Sequence, residues 1–130
     1  MSHRFAEIAF TDAVKAVQEQ YGSREQNQRR EQRGDAHDAL GEDEAAFIAG
    51  RDSFYLATVS ETGWPYLQHR GGPPGFLKVL GPTTLAFADF RGNTQLVSAG
   101  NAMGNDRAAL ILMDYPHGRR LKILGRIRFE

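Results

Sequence analysis

The sequence contains no cysteine, and this absence removes several classes of protein at once. Disulfide frameworks, thiolate zinc sites and cysteine nucleophiles are all excluded. Long apolar segments are missing as well, because no run approaches the roughly 20 residues that span a bilayer. The opening segment, MSHRFAEIAF, lacks the apolar stretch of a secretory signal. We therefore expect a cytoplasmic protein that has no membrane partner.

An excess of either charge is also missing. Lys plus Arg amounts to 16 and Asp plus Glu to 16, so the formal net charge is zero. Nucleic-acid-binding domains usually carry a basic excess, and the arginines of residues 24–33 are interrupted by Glu25 and Glu31. We expect no nucleic-acid partner. The four histidines are scattered without metal-ligand spacing, so no metal site is predicted.

Composition divides the chain into a polar leader, residues 1–44, and a glycine-rich domain, residues 45–130. In the leader, Thr11 and Asp12 predict the start of a helix that stops at Gly22. The segment SREQNQRREQRGDAH has almost no apolar residues, so it is either an exposed helix or a mobile linker. The segment EDEAAFIAG predicts a further short helix, with acidic residues in its first turn.

From Ser53 onwards the pattern is that of strands. The runs SFYLATVS and PYLQHR flank a turn at ETGW and predict a hairpin, and FLKVL and TTLAFADF flank another turn. AALILM predicts a strand buried on both sides, and LKILGRIRF alternates in polarity as far as Glu130. Six short strands with tight turns predict a mainly β fold with flanking helices, a six-stranded antiparallel barrel. At Glu130 either the barrel ends or the natural chain continues.

A candidate anion site lies between Gln68 and Gln95. An arginine offers a planar fork of donors that suits phosphate, and a helix start offers free N–H groups and partial positive charge. Arg91 and Asn93 supply both features within a few residues, with Asn93 as the predicted N-cap. Arg70, on the neighbouring hairpin, is placed to reach the same anion. An ordinary capped turn is the alternative, and the pattern alone leaves it open.

Four segments, QHRGG, FADFRGN, GNDR and MDYP, occur in this order between residues 45 and 129. With these segments the chain resembles the FMN-binding split-barrel proteins related to pyridoxamine 5′-phosphate oxidase. The resemblance implies a six-stranded antiparallel split barrel that pairs as a homodimer, with FMN at the subunit interface. It also implies an FMN-dependent oxidoreductase that passes electrons to a small acceptor, with NAD(P)H as a candidate donor.

The same resemblance implies roles for individual residues in binding the cofactor, and it assigns no catalytic residue. The strand segment along the flavin and its phosphate is matched by Gln68, His69 and Arg70, followed by Gly71. The strand end beside the ring is matched by Phe87, Ala88 and Asp89. The loop that holds phosphate and ribityl oxygens is matched by Arg91, Asn93 and Gln95.

Two alternatives remain open, a haem-binding split barrel with His69 as candidate ligand and a non-catalytic flavin-binding dimerisation module. Oxidation of pyridoxamine phosphate itself is not expected, because the oxidase carries substrate-binding residues near its C-terminus that are absent up to Glu130. We expect Asp52, Asp106 and Asp114 to be solvated at strand edges, and His117 to be a structural residue of a turn.

Overall fold

The computed structural model describes residues 3–33, 38–88 and 95–130. The chain divides into two compact units, residues 1–39 and residues 40–130. The first unit contains helices α1 (His3–Ala9), α2 (Asp12–Gln20) and α3 (Arg24–Arg33). The predicted start of α2 is confirmed, because the Thr11 hydroxyl accepts a 3.2 Å hydrogen bond from the Val14 N–H. Within the polar segment that allowed two interpretations, residues 24–33 form a helix, α3, and residues 34–37 lie outside the described residues.

The second unit contains a helix followed by a hairpin, a short strand pair, another helix and a second hairpin. Its elements are α4 (Glu42–Ala49), β1 (Ser53–Val59), β2 (Pro65–Gly71), β3 (Lys78–Gly81), β4 (Thr84–Ala86), α5 (Val97–Gly104), β5 (Arg107–Asp114) and β6 (Arg119–Arg126). Four strands form one sheet in the order β2-β1-β5-β6, and β3 pairs with β4. All the strand pairs are antiparallel. The predicted mainly β architecture with helices is confirmed and is consistent with a split barrel. Closure into one six-stranded barrel stays a prediction, because the described strands lie in two sheets.

The core lies on one face of the four-stranded sheet. Strand alternation directs Phe54, Leu56 and Thr58 of β1 to this face, and all three are buried. They meet side chains from α4, the segment after β2, and β5. The buried apolar members of this cluster are Ile48, Phe54, Leu56, Phe76, Leu77, Ala108 and Leu112. Burying one large apolar side chain contributes about 1.5–3 kcal/mol, so this cluster is the main stabilising feature of the unit.

The opposite face of the sheet, which we call the outer face, is more exposed. The strand register places nine of its residues side by side: Tyr55, Ala57, Leu67, His69, Ala109, Ile111, Met113, Lys122 and Leu124. One row across the four strands runs Leu67, Ala57, Ala109, Leu124. The two leucines are 65% and 38% exposed. This row is therefore apolar with small residues at its centre, and the same alternation places basic residues on either side of it, with Lys122 in the next row and Arg107, Arg120 and Arg126 towards the strand ends.

Two strand predictions need correction. The strand β5 is fully buried on one face only, because Ala109, Ile111 and Met113 alternate onto the outer face and are half-buried. The last strand, β6, ends at Arg126 and not at Glu130. Its partner β5 begins at Arg107, which pairs with Arg126, so later residues have no ladder partner on β5.

Candidate functional site

Alternation along β2 separates the predicted site residues into two groups. Gln68 and Arg70 are half-buried and pair across the hairpin with Leu56 and Phe54, on the core side of the sheet. His69 is exposed on the outer face, where its ring meets the Tyr55 ring edge-on at 5.3 Å between centroids. The structure therefore brings Gln68 and Arg70 together and places His69 on the other side of the strand.

Two contacts help to position the Arg70 guanidinium. Its Nη2 donates to Oε1 of Gln68 at 3.2 Å, and its Cζ lies 5.2 Å from the centroid of the Phe87 ring. Phe87 in turn meets Phe54 edge-on at 5.1 Å. A cation over an aromatic ring contributes on the order of 0.5–2 kcal/mol. The guanidinium is thus held between an amide oxygen and an aromatic ring that packs on the core.

The first turn of α5 and the Arg70 guanidinium both donate a hydrogen bond to the same side-chain oxygen of Gln68. Ser98 lies in that turn, and its hydroxyl donates to the same Oε1 of Gln68 at 2.9 Å. A helix start presents N–H groups and partial positive charge, which favour an anion. We call the group formed by Gln68, Arg70, Phe87 and Ser98 the arginine corner. Its positive charge and its helix start suit a phosphate.

The prediction that Asn93 caps this helix is wrong. The N-cap of α5 is Leu96, whose backbone is left-handed with φ of 59° and whose side chain forms no cap hydrogen bond. A polar cap is worth only about 1 kcal/mol, so contacts with the sheet can decide where a helix begins. Ser98 and Asn101 form such contacts, the first with Gln68 and the second with Thr58 of β1.

The other predicted cofactor residues have varied positions. Ala88 and Gln95 are exposed on either side of residues 89–94. Gly71 ends β2, and a Cβ at this position would lie 3.3 Å from Cε1 of His69. Three further predicted residues, Asp89, Arg91 and Asn93, lie outside the described residues. Their roles in cofactor binding stay predictions.

Asp114 corrects one expectation, because it is buried with only 4% exposure and is not solvated. Oδ2 lies 3.0 Å from Nδ1 of His117 and 3.4 Å from Nη2 of Arg119, and Oδ1 lies 3.5 Å from Nη1 of Arg51. The hydrogen bond with His117, and then the charges of His117 and Arg51, lower the pKa of Asp114 despite the opposing effect of burial. Arg51 also donates to the Phe47 carbonyl at 3.1 Å. This cluster joins α4 to the turn between β5 and β6.

A pair of tyrosines on the outer side was missed by the sequence analysis. A hydrogen-bonding interaction with Tyr55, and then the charge of Tyr55, raise the pKa of Tyr115. Tyr55 also carries the contact with His69. The two tyrosines are far apart in the sequence, and no local pattern indicates their contact. Ser98 was missed too, although its spacing to Asn101 places two polar residues on one face of the helix.

Within residues 3–33, 38–88 and 95–130, no cluster of three or more histidine or carboxylate side chains is placed to hold a metal ion. None of the helices in the described parts of the chain is long and apolar enough to cross a membrane.

The antiparallel sheet and its flanking helices are consistent with a split-barrel domain, and the arginine corner is a site suited to an anionic ligand. The family model described as pyridoxamine 5′-phosphate oxidase matches residues 40–130. The chain therefore belongs to the pyridoxamine 5′-phosphate oxidase family, which confirms the resemblance seen in the sequence. Members of this family commonly bind flavin. Comparisons with curated proteins and with solved structures give no significant match.

Proposed function

We propose that this chain binds FMN and is an oxidoreductase that passes electrons through FMN to a small acceptor, with NAD(P)H as the electron donor. The observation that carries this proposal is the arginine corner, where the Arg70 guanidinium and the first turn of α5 meet at one oxygen of Gln68. Membership of a family that commonly binds flavin supports the same cofactor.

The donors of the arginine corner fit the phosphate group of FMN. Phosphate oxygens favour the planar fork of an arginine and the N–H groups of a helix start, and both are present. Arg70 would hold the phosphate, and Phe87 would offer an apolar surface next to it. We further propose that Ala88 and Asp89 lie beside the ring, and that Arg91, Asn93 and Gln95 hold phosphate and ribityl oxygens.

When bound, FMN supplies the redox chemistry, and the protein supplies binding, orientation and electrostatics. Arg70 would neutralise the phosphate, and the contact with Phe87 keeps the guanidinium oriented. His69 and Gly71 lie on the outer face of β2, opposite to Arg70. Their predicted contact with FMN therefore requires a cofactor that lies between two subunits joined through the outer face.

A homodimer through the outer face is consequently part of the proposal. Contiguous apolar surface on a soluble domain favours burial against a partner, and two-fold pairing with a second copy is the commonest arrangement. The row from Leu67 through Ala57 and Ala109 to Leu124 provides such a surface.

Light scattering after size exclusion, at micromolar concentration, tests the dimer. The unmodified chain is expected to be a dimer, and Leu67→Lys, on the outer face, is expected to be a monomer. Leu80→Lys is the matched control, because Leu80 is 67% exposed on β3. A monomeric unmodified chain, or equal effects of the two substitutions, contradicts pairing through the outer face.

The visible spectrum of the purified protein tests the cofactor. Flavin absorbance that bleaches on addition of NADH or NADPH is the expected result. A Soret band would favour the haem-binding alternative, and bound FMN that neither nicotinamide reduces would favour a non-catalytic binding module. A colourless protein that takes up no added FMN would refute the proposal.

Replacement of Arg70 tests the arginine corner. A hydrogen-bonded arginine–phosphate pair is worth about 1.5–3 kcal/mol, so Arg70→Ala is expected to weaken FMN binding by roughly 10- to 100-fold. Arg128→Ala is the control, because Arg128 is exposed and pairs with Glu130 at 2.9 Å. FMN affinity that Arg70→Ala leaves unchanged would contradict the phosphate assignment. Arg91→Ala in the same titration tests the second predicted phosphate arginine.

A further inference from the structure

Ser98 connects α5 to β2, and it is nearly inaccessible, with 2% exposure. Its hydroxyl donates to Oε1 of Gln68, which also accepts from Nη2 of Arg70. An amide oxygen has two lone pairs, so these two bonds use the acceptor capacity of Gln68. A ligand can therefore meet the Gln68 side chain only through its NH2 group.

The Arg70 guanidinium selects the orientation of the Gln68 amide, and the Ser98 hydroxyl donates to the amide oxygen in that orientation. In the observed orientation the amide oxygen faces the Arg70 guanidinium and accepts from it. In the flipped orientation the NH2 donors would face a cation that has only donors of its own. Removing the Ser98 hydroxyl removes the second of the two bonds that hold the amide oxygen in its position beside Arg70.

We propose that Ser98 is a positioning residue for the FMN phosphate, acting through Gln68 on Arg70. This inference rests on the proposed function. Ser98 does not hold the phosphate itself. It holds the acceptor that fixes the plane of the guanidinium, and this plane matters because arginine binds phosphate with two parallel N–H donors.

A second hydrogen bond of the same helix provides a matched comparison. Asn101 lies one turn after Ser98 on the same face, and its Nδ2 donates to Oγ1 of Thr58 at 3.0 Å. Thr58 is also buried, with 1% exposure. This bond anchors α5 to β1, whereas the bond from Ser98 anchors it to β2. Removing the Asn101 bond therefore shows how a less firmly held α5 changes FMN binding when the bond from Ser98 is intact.

The experiment compares the binding of FMN with that of riboflavin, which lacks the phosphate, to the full chain freed of its flavin. Ser98→Ala is expected to weaken FMN binding about three- to tenfold, the effect of one hydrogen bond, and to change riboflavin binding less than about twofold. Ser98→Thr keeps the hydroxyl and is expected to restore FMN affinity. Asn101→Ala is expected to change FMN binding less than about twofold while lowering the unfolding temperature.

A double-mutant cycle that combines Ser98→Ala with Arg70→Ala tests whether Ser98 acts through Arg70. Since Ser98 acts through Arg70, Ser98→Ala is expected to have no further effect on FMN affinity once Arg70 is replaced. Gln68→Met removes the shared oxygen and is expected to give the same selective loss, which keeps the test decisive if Ser98→Ala does not fold.

Three results would overturn the positioning role while leaving the proposed function intact. These are equal losses of FMN and riboflavin affinity in Ser98→Ala, equal effects of Ser98→Ala and Asn101→Ala, and full additivity with Arg70→Ala. An unmodified chain that binds no FMN would instead overturn the proposed function, and this inference with it.

Discussion

Replacing Gly72 by alanine tests the packing behind the arginine corner. A Cβ at this position would lie 2.8 Å from Cγ of Phe76 and 3.1 Å from both Cδ atoms. Carbon atoms pack best at about 3.5–4.0 Å, so the ring would have to move by roughly 0.5–1 Å. Phe76 is buried and stacks on Phe54, with the two ring centroids 5.5 Å apart. This arrangement resists such a movement.

Overpacking of this kind costs about 1–3 kcal/mol. Since 1 kcal/mol corresponds to roughly 2–8 °C in the unfolding temperature of domains of this size range, Gly72→Ala is expected to unfold several degrees below the unmodified chain. Thermal unfolding followed by circular dichroism measures this shift. Phe54 also contacts Phe87, the ring beneath Arg70. We therefore expect a modest loss of FMN affinity in the same variant.

Gly125→Ala is the matched control for this prediction. A Cβ at Gly125 meets no heavy atom within 4 Å, and the backbone does not have positive φ. The substitution is expected to change stability by less than about 1 kcal/mol, in the stabilising direction, because alanine restricts the unfolded chain. Equal unfolding temperatures for the two variants would refute the argument that Phe76 is tightly held.

Three further predictions concern other parts of the chain. Asp114→Asn is expected to lower the unfolding temperature at neutral pH, and the difference should shrink in acid. Because the pKa of Asp114 is lowered in the folded chain, its carboxylate stabilises the fold above the ordinary aspartate pKa, and this stabilisation is lost as the pH falls through the lowered value. A loss of stability in Asp114→Asn that does not depend on pH would contradict this. Tyr55→Phe is expected to bring the raised pKa of Tyr115 back towards its ordinary value, which an ultraviolet titration measures; an unchanged titration would exclude the tyrosine pair as the cause. Thr11→Ala removes the cap of α2 and is expected to destabilise the first unit by about 1 kcal/mol, which reduced helical circular dichroism would show. Thr83→Ala, at an exposed position, is the control and is expected to leave the spectrum unchanged.

Local patterns were sufficient for most elements of the fold. The helix α2 follows from its Thr11 cap, and the β1–β2 hairpin follows from two alternating runs around Gly63, whose φ of 88° suits a turn. The same reasoning was weaker at α5. The predicted cap, Asn93, rested on a local preference that is worth little energy. The contact of Ser98 with a strand residue 30 positions earlier fixes the helix start instead.

The candidate site was predictable in part. The segment from Gln68 to Arg70 was predicted to be part of a strand, which β2 confirms, but its members were treated as one group of site residues. The two-residue period of a strand already implied that His69 faces away from Gln68 and Arg70. The burial of Asp114 was different, because its partner Arg51 comes from a distant part of the sequence. Strand alternation predicts the face on which a residue lies, but it does not predict which distant residues pack against the end of the strand.

The alternation of β2 has a consequence for how this protein can change. Odd positions such as Leu67 and His69 belong to the face proposed for assembly, and even positions such as Gln68 and Arg70 belong to the face proposed for the cofactor. A substitution in this seven-residue strand therefore acts directly on one face only, and it reaches the other face through the FMN that we propose the two subunits share.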